Sequence, residues 1–353
     1  MNKNSARSSF SKSLLSWFEK EKRPLPFRKS KDPYKVWLSE IILQQTQMET
    51  GISYYNKFIA RFPNIGDLAK ADQEEVYSIW QGLGYYNRAK NLHKTAIIVS
   101  KNKGRFPEKY KNLIELPGVG KYTASAIASI CFNEKKYVVD ANVYRVLSRA
   151  FGIKTDIKKS KAYNEFHSLT SSLAKNIKNI GDYNEALMDF GGSVCLPKKP
   201  RCKTCIFKKK CFAFKNNMVE ILPIKKQTKK IKNRFFNYFV FENKNSFLVK
   251  KRDKKDIWEN LFEFYLIENK SVKKAIKSLN KNITINLPTP EKKSSSASLS
   301  HQKITVFFFR YLLQKKEDMN ALKKTFKMKM LNKSEVKNVG FPKVIDNYLK
   351  SHS

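Results

Sequence analysis

ELPGVGKYTASAIASI, residues 115–130, places a glycine-rich turn between two helical stretches, and its reading decides the N-terminal part of this 353-residue chain. Gly118 and Gly120 leave room for the backbone to come close to a ligand, and amides around Gly118, Val119 and Gly120 at a helix N-terminus can hold a phosphate without reading sequence. A bare Pro-Gly-x-Gly is also an ordinary turn between helices, so the surroundings matter. Residues 9 to about 212 carry apolar side chains at helical spacing (Leu14, Leu15, Trp17, Phe18; Ile41, Ile42; Ala124, Ile127, Ala128), broken by short Gly, Pro and Asn turns. An all-α domain is expected over residues 1–212.

Upstream lies DPYKVWLSEIILQQTQ, 32–47, in which Asp32 can cap and Pro33 can start a helix. Glu40 falls within its apolar set. A carboxyl desolvated there has its pKa raised and can hold a proton near neutral pH, as a general acid must; the plainer reading is a Glu on a solvated face. Downstream, YVVDANVYRVLSRAFG, 137–152, ends an apolar run at Asp140 and then begins a helix. Asp140 is a good N-cap, and the helix dipole and free amides are expected to keep it ionised. Two carboxyls shifted in opposite directions cleave glycosidic bonds, one donating a proton and the other stabilising positive charge on the sugar. Spacing leaves open whether they meet in space.

The charge balance is 71 Lys+Arg against 30 Asp+Glu, a formal net of +41. That points to a polyanionic partner, with nucleic acid first. Of the basic residues 59 are Lys, and with abundant Asn, Ile, Phe and Tyr some of this excess reads as drift towards A/T-rich codons; eight of the 12 Arg fall in the first 150 residues. Four of five Cys crowd together as Cys195, Cys202, Cys205 and Cys211, or C-x6-C-x2-C-x5-C. One close pair flanked by singles favours a four-iron cluster over a zinc finger's two pairs, and the surrounding Lys198, Lys199, Arg201, Lys203, Lys208, Lys209 and Lys210 suit a second phosphate contact. Cys131, in AIASICF, reads as core. With no apolar run long enough to span a membrane and no leader pattern at the start, a cytoplasmic protein is expected.

Residues 213–234 are Lys-rich and poor in apolar side chains, and read as a linker. From 235 to 353 the pattern changes to α+β. FFNYFVFEN (235–243), SFLVKKR (246–252), LFEFYLIE (261–268) and ITVFFFRYLLQ (304–314) read as strands, SVKKAIKSL and NALKKTFKM as helices, and EKKSSSASLS (291–300) as an exposed loop.

The hairpin, the two carboxyl segments and the cysteine loop, in this order, resemble the helix-hairpin-helix DNA glycosylases with an iron-sulfur loop, and within them the MutY-type adenine glycosylases. The rival endonuclease III type carries a Schiff-base Lys where this chain has Tyr122, preceded by Lys121. WLSEIILQQTQ, GLGYYNRAKNLHK (82–94) and the extra C-terminal domain favour the adenine type. The resemblance implies a monofunctional, monomeric enzyme with a [4Fe-4S] cluster in loop 195–211, acting on double-stranded DNA with A opposite 8-oxoguanine or G. It implies that Glu40 protonates the adenine and Asp140 stabilises the oxocarbenium-like sugar, with Asn142 and Tyr122 alongside. The flipped adenine would sit among Arg23, Phe27, Arg28 and Glu185. Gln45, Thr46, Leu83 and Tyr85 match positions beside the opposing base, Tyr85 being an aromatic next to Gly84 and suited to intercalation. The C-terminal domain resembles a Nudix-like module that recognises 8-oxoguanine. It lacks a glutamate-rich hydrolase box, and the family's Phe-Ser-His loop stands here as Leu299, Ser300 and His301. Phe27 stands where Trp is usual. Two other readings remain: an endonuclease III-like glycosylase/lyase acting on oxidised pyrimidines, and a non-catalytic basic DNA-binding protein with a zinc ribbon.

Overall fold

The computed structural model describes residues 3–226, 232–254, 256–299 and 302–351. They divide into two compact units, Met1–Lys70 with Asn91–Gln227 and Ala71–Lys90 with Thr228–Ser353.

The first unit is helical. It contains α1 (Lys3–Glu21), α2 (Pro33–Leu43), α3 (Met48–Arg61) and α4 (Ile65–Lys70); α5 (Gln73–Trp80) belongs to the second unit, and α6 (Asn87–Lys101) follows it. The unit continues with α7 (Tyr110–Leu113), α8 (Lys121–Phe132), α9 (Ala141–Phe151), α10 (Ser160–Leu173), α11 (Ile180–Ser193) and α12 (Phe212–Lys215). Asp32 caps α2 by accepting from the Tyr34 amide at 2.9 Å, with Pro33 at the first helical position where its missing N–H costs nothing. Apolar faces of α1, α9, α10 and α11 meet in a core of Leu14, Phe18, Val143, Leu147, Phe166, Tyr183, Leu187 and Phe190. Each such side chain removed from water contributes about 1.5–3 kcal/mol before the cost of ordering the chain.

In the turn before α8, Gly118 has φ +77°, and a Cβ there would come within 2.8 Å of Asn91 Cβ. Backbone handedness and close approach both demand glycine. Gly120 is the N-cap of α8, with no side chain capping it and open space where a Cβ would stand, so the helix start is accessible to an anion.

Residues 213–226 are not a free linker. The Arg149 Nε donates to the Leu222 carbonyl at 3.0 Å, the Ile157 amide donates to the Ile224 carbonyl at 3.0 Å, and Leu222 is buried. Low apolar content hides this attachment, because it runs through backbone carbonyls.

The second unit is built on a mixed sheet of β1 (Lys232–Glu242), β2 (Ser246–Lys251), β3 (Phe262–Glu263), β4 (Tyr265–Glu268), β5 (Glu291–Leu299), β6 (Gln302–Leu312) and β7 (Lys329–Asn332). The order along its main path is β3-β2-β1-β6-β5, with β1 and β6 parallel. Its helices are α13 (Val272–Asn280), α14 (Lys316–Thr325) and α15 (Lys343–Lys350). One face of the sheet packs Phe236, Tyr238, Val306 and Phe308 with Ile345 and Tyr348 of α15; the other packs Phe239, Phe241, Phe309 and Tyr311 with Ala275, Leu279, Met319 and Leu322. A hub of Arg234, Arg252, Asp256, Glu263 and Glu268 ties β1 and β2 to β3 and β4. There the paired guanidinium groups outweigh burial and hold Glu268 down at about 2.

Residues 291–299 form a strand, where a loop is expected from their composition. β5 is outermost in the sheet and pairs antiparallel with β6 from Glu291↔Arg310 to Leu299↔Gln302. Non-local backbone pairing overrides the low strand preference of Ser and Lys. Ser300 and His301 lie outside the described residues.

Candidate active site

The N-terminal helical segments converge on a cavity of about 420 Å³ in the first unit. Glu40 from α2, Tyr122 from α8, Asp140 and Asn142 from the start of α9, Glu185 from α11, and Arg23, Phe27 and Arg28 from the stretch after α1 all line it, as does Thr46. Residues more than a hundred positions apart thus share one wall.

Burial pushes the Glu40 carboxyl up to about 7 from an ordinary 4.5; a hydrogen bond from Tyr122 opposes the rise, and the nearby Asp140 and Glu185 add to it. The carboxyl is therefore partly protonated at neutral pH. Asp140 accepts from the Val143 amide at 2.7 Å and from Asn142 Nδ2 at 2.7 Å. Opposed shifts for the two carboxyls do not hold: burial raises Asp140 as well, against the lowering effect of those bonds and of Arg145. The cap is real, but it sits in a desolvated wall rather than at an open helix end. The Tyr122 hydroxyl, held well above its usual pKa first by burial, also lies 3.1 Å from Met188 Sδ.

Arg28 donates to Glu185 at 2.7 Å and to Asp189 at 2.7 Å, while Arg23 Nε donates to Asp189 at 2.9 Å. Asp189 is fully buried, and although burial works against it, the two guanidinium groups hold it below the usual carboxylate range. Sequence reasoning missed Asp189. Its only signal is a carboxylate one helical turn after Glu185 in an otherwise apolar stretch. Arg145 was also unassigned: it donates to Asn142 Oδ1 at 2.7 Å, to the Gly191 carbonyl at 2.7 Å and to the Cys195 carbonyl at 2.6 Å.

Gln45 is exposed beside the cavity rim residue Thr46 and adopts φ +57°. Leu83 and Tyr85 belong to the other unit. There Gly82, Gly84 and Tyr85 have φ of +98°, +71° and +51°, and Tyr85 is 46% exposed. Trp80 Nε1 donates to the Gly84 carbonyl at 3.0 Å, and Arg88, stacked over the Trp80 ring, donates to the Leu83 and Gly84 carbonyls. A bulky residue held left-handed at a tip is strain that the surrounding bonds must maintain.

Cys195, Cys202, Cys205 and Cys211 are all free thiols and half-buried. Burial raises Cys205 to about 11, and its charge interactions run to each of the other three sulfurs. Arg149 Nη1 donates to Cys195 Sγ at 3.5 Å and to the Leu196 carbonyl at 2.7 Å. Among the described residues no three His, Cys, Asp or Glu side chains are arranged to hold a single metal ion. The donor set itself, four unpaired thiols of which Cys195 meets the buried Arg149 guanidinium, has the chemistry that an iron-sulfur cluster takes, one thiolate to each iron. Cys131 is only half-buried, and burial drives its thiol up to about 12. No described helix is long and apolar enough to cross a membrane.

Residues 38–172 match the HhH-GPD superfamily base excision DNA repair protein family, and residues 237–351 match the NUDIX domain family. The chain is similar to the adenine DNA glycosylase of Buchnera aphidicola subsp. Acyrthosiphon pisum (strain APS), with 39% identity over 244 residues covering 69% of each chain. It is also similar to the adenine DNA glycosylase of Rattus norvegicus, with 42% identity over 214 residues, 58% of this chain and 41% of that one. Among solved structures it is similar to a thermostable thymine-DNA glycosylase, with a TM-score of 0.54 and 30% identity, covering 61% of this chain and 100% of the other. A cavity with two carboxyls, a glycine-rich helix start suited to phosphate, the two family matches and likeness to such relatives lead to one placement: the chain belongs to the adenine DNA glycosylase family and is a base-excision repair enzyme acting on N-glycosyl bonds in DNA.

Proposed function

We propose that the enzyme removes adenine paired with 8-oxoguanine, or with G, by monofunctional hydrolysis, working as a cytoplasmic monomer at the nucleoid. The observation that carries the chemistry is Glu40, raised to about 7 and hydrogen-bonded to Tyr122 on the same cavity wall as Asp140. The Glu40 carboxyl gives its proton to the adenine ring as the C1′–N9 bond breaks and its electron pair leaves with the base. The Asp140 carboxylate, oriented by Asn142 and the Val143 amide, faces the positive charge left on the sugar. Water adds at C1′ and returns its proton to Glu40. Arg23, Phe27, Arg28 and Glu185 hold the flipped base.

Gly118 and Gly120 at the start of α8 grip the DNA backbone, and the tips at Gln45–Thr46 and Leu83–Tyr85 enter the stack beside the opposing base. Ser300 and His301 read its oxidised edge. Cys195, Cys202, Cys205 and Cys211 hold a [4Fe-4S] cluster, which when bound fixes the basic loop 195–211 as a phosphate contact. Tyr122 in place of a Schiff-base lysine supports hydrolysis without strand cleavage. The neighbouring Lys121 is exposed, its Nζ 5.3 Å from the centre of the Tyr163 ring. Single-turnover assays on a duplex with A opposite 8-oxoguanine test this reading: adenine should be released and the strand left intact until alkali is added. Glu40→Gln should abolish release while leaving duplex binding nearly unchanged, and a near-wild-type rate in that variant would overturn the assignment.

A further inference from the structure

The loop that carries Tyr85 is fastened on both sides to the C-terminal part of its own unit. Just before it, Gln81 Nε2 donates to Asp346 Oδ1 at 2.6 Å; just after it, the Tyr86 hydroxyl donates to the Phe341 carbonyl at 3.1 Å. Glu74 of α5 pairs with Lys251 at 3.0 Å, and Gly340 lies against Tyr77 and Tyr86, where a Cβ would stand 3.4–3.5 Å from them. The loop has little freedom of its own, because Trp80 and Arg88 close it from within.

Asp346 sits on α15, whose Val344, Ile345, Tyr348 and Leu349 share a core with Phe341. Tyr348 stacks on Phe308 of β6 at 4.2 Å. Ala297 and Leu299, at the end of β5, pack against the same core, and Leu299 directly precedes the proposed damage-reading pair Ser300 and His301. A single packed body therefore runs from the end of β5 through α15 to both flanks of Tyr85. Packed cores transmit displacement rather than absorb it.

We propose that Gln81, Tyr86 and Asp346 are positioning residues for base-pair selectivity, joining the Tyr85 wedge to the β5 end so that reading the oxidised base and inserting beside it are one binding event. This rests on the reading of Tyr85 as a wedge and of the β5–β6 hairpin as the damage reader. A bond that merely packs the unit would alter stability without altering which base pair is chosen.

The test uses the full chain and duplexes with A opposite 8-oxoguanine or A opposite G. A 2-aminopurine beside the opposing base reports local unstacking. Gln81→Leu and Asp346→Leu should each lower the preference for 8-oxoguanine roughly tenfold, chiefly through the rate on that pair, and should weaken the 2-aminopurine signal. The double variant should be no worse than either single one, and Asp346→Asn, which keeps an acceptor for Gln81, should restore the preference. Gln81 is only half-buried, so Gln81→Leu carries the test should Asp346→Leu fail to fold. Wild-type preference in Gln81→Leu, alongside a loss in Tyr85→Ala, overturns the brace and leaves the wedge standing. An unchanged preference in Tyr85→Ala overturns both.

Discussion

Arg145 holds Asn142 from behind: its Nη2 donates to Asn142 Oδ1 at 2.7 Å, and Asn142 in turn donates to Asp140 at 2.7 Å. The same guanidinium bonds the carbonyl of Cys195, so one buried side chain ties the Asp140 carboxylate, through Asn142, to the first residue of the cysteine loop. An ammonium cannot reach three acceptors in that planar arrangement. Arg145→Lys is expected to slow adenine release at least about tenfold and to lower the melting temperature, with duplex binding less affected. Single-turnover rates, binding titration and thermal melting on one preparation check this.

If Glu40 is the general acid of the proposed mechanism, the single-turnover rate should fall as pH rises through about 7, and should fall again at acidic pH as Asp140, itself raised by burial, takes up a proton. The same shift has a sign for stability. A carboxyl raised from 4.5 to about 7 favours the folded state fully only below 4.5, and that contribution is lost as pH rises through about 7. Glu40→Gln should therefore melt higher than wild type at pH 8 and nearly equally at pH 4.5, while losing roughly 10²–10⁴-fold in rate.

Asp140→Asn keeps an oxygen for the Val143 amide and removes the charge that the proposed mechanism sets against the sugar cation. Helical content and melting should stay near wild type, and the rate should fall roughly 10²–10³-fold. A variant that folds and cleaves normally would reduce Asp140 to a cap.

Asp189 is fully buried between Arg23 and Arg28. Removing one partner of such a pair leaves charge without compensation, which costs about 3–5 kcal/mol for buried pairs. Asp189→Ala should lower the denaturation midpoint strongly, and Asp189→Asn less so; chemical denaturation monitored by circular dichroism separates them.

Purified without oxygen, the protein should be brown and hold about four irons per chain, as four thiolates with one iron each imply. Cys202→Ser should weaken DNA affinity more than the chemical step. Stoichiometric zinc without iron in an active preparation would reject the cluster.

What could be read from the chain depended on how far apart the partners lie. Glu40, Asp140, the glycine turn and the cysteine loop announce themselves within short segments, because capping, helical spacing and ligand spacing are local. Their meeting in one cavity is not local, nor are the roles of Asp189 and Arg145, whose partners lie up to 166 and 50 positions away. The opposed carboxyl shifts failed for a related reason: a helix dipole is visible in sequence, whereas the burial that outweighs it at Asp140 comes from distant helices. Strand β5 escaped notice because its pairing partner, not its serines, makes it a strand, and β7 and α15 were not anticipated at all.

That strand also bears on solubility. A nine-residue outermost strand offers a row of backbone groups to any passing chain, and an apolar one would seed edge-to-edge assembly. Glu291, Lys292, Lys293 and the four serines along β5 make such pairing costly to desolvate and electrostatically unfavourable. Exchanging Ser294, Ser296 and Ser298 for valine would suit a strand better locally, yet should turn a dispersed protein into one that aggregates on concentration.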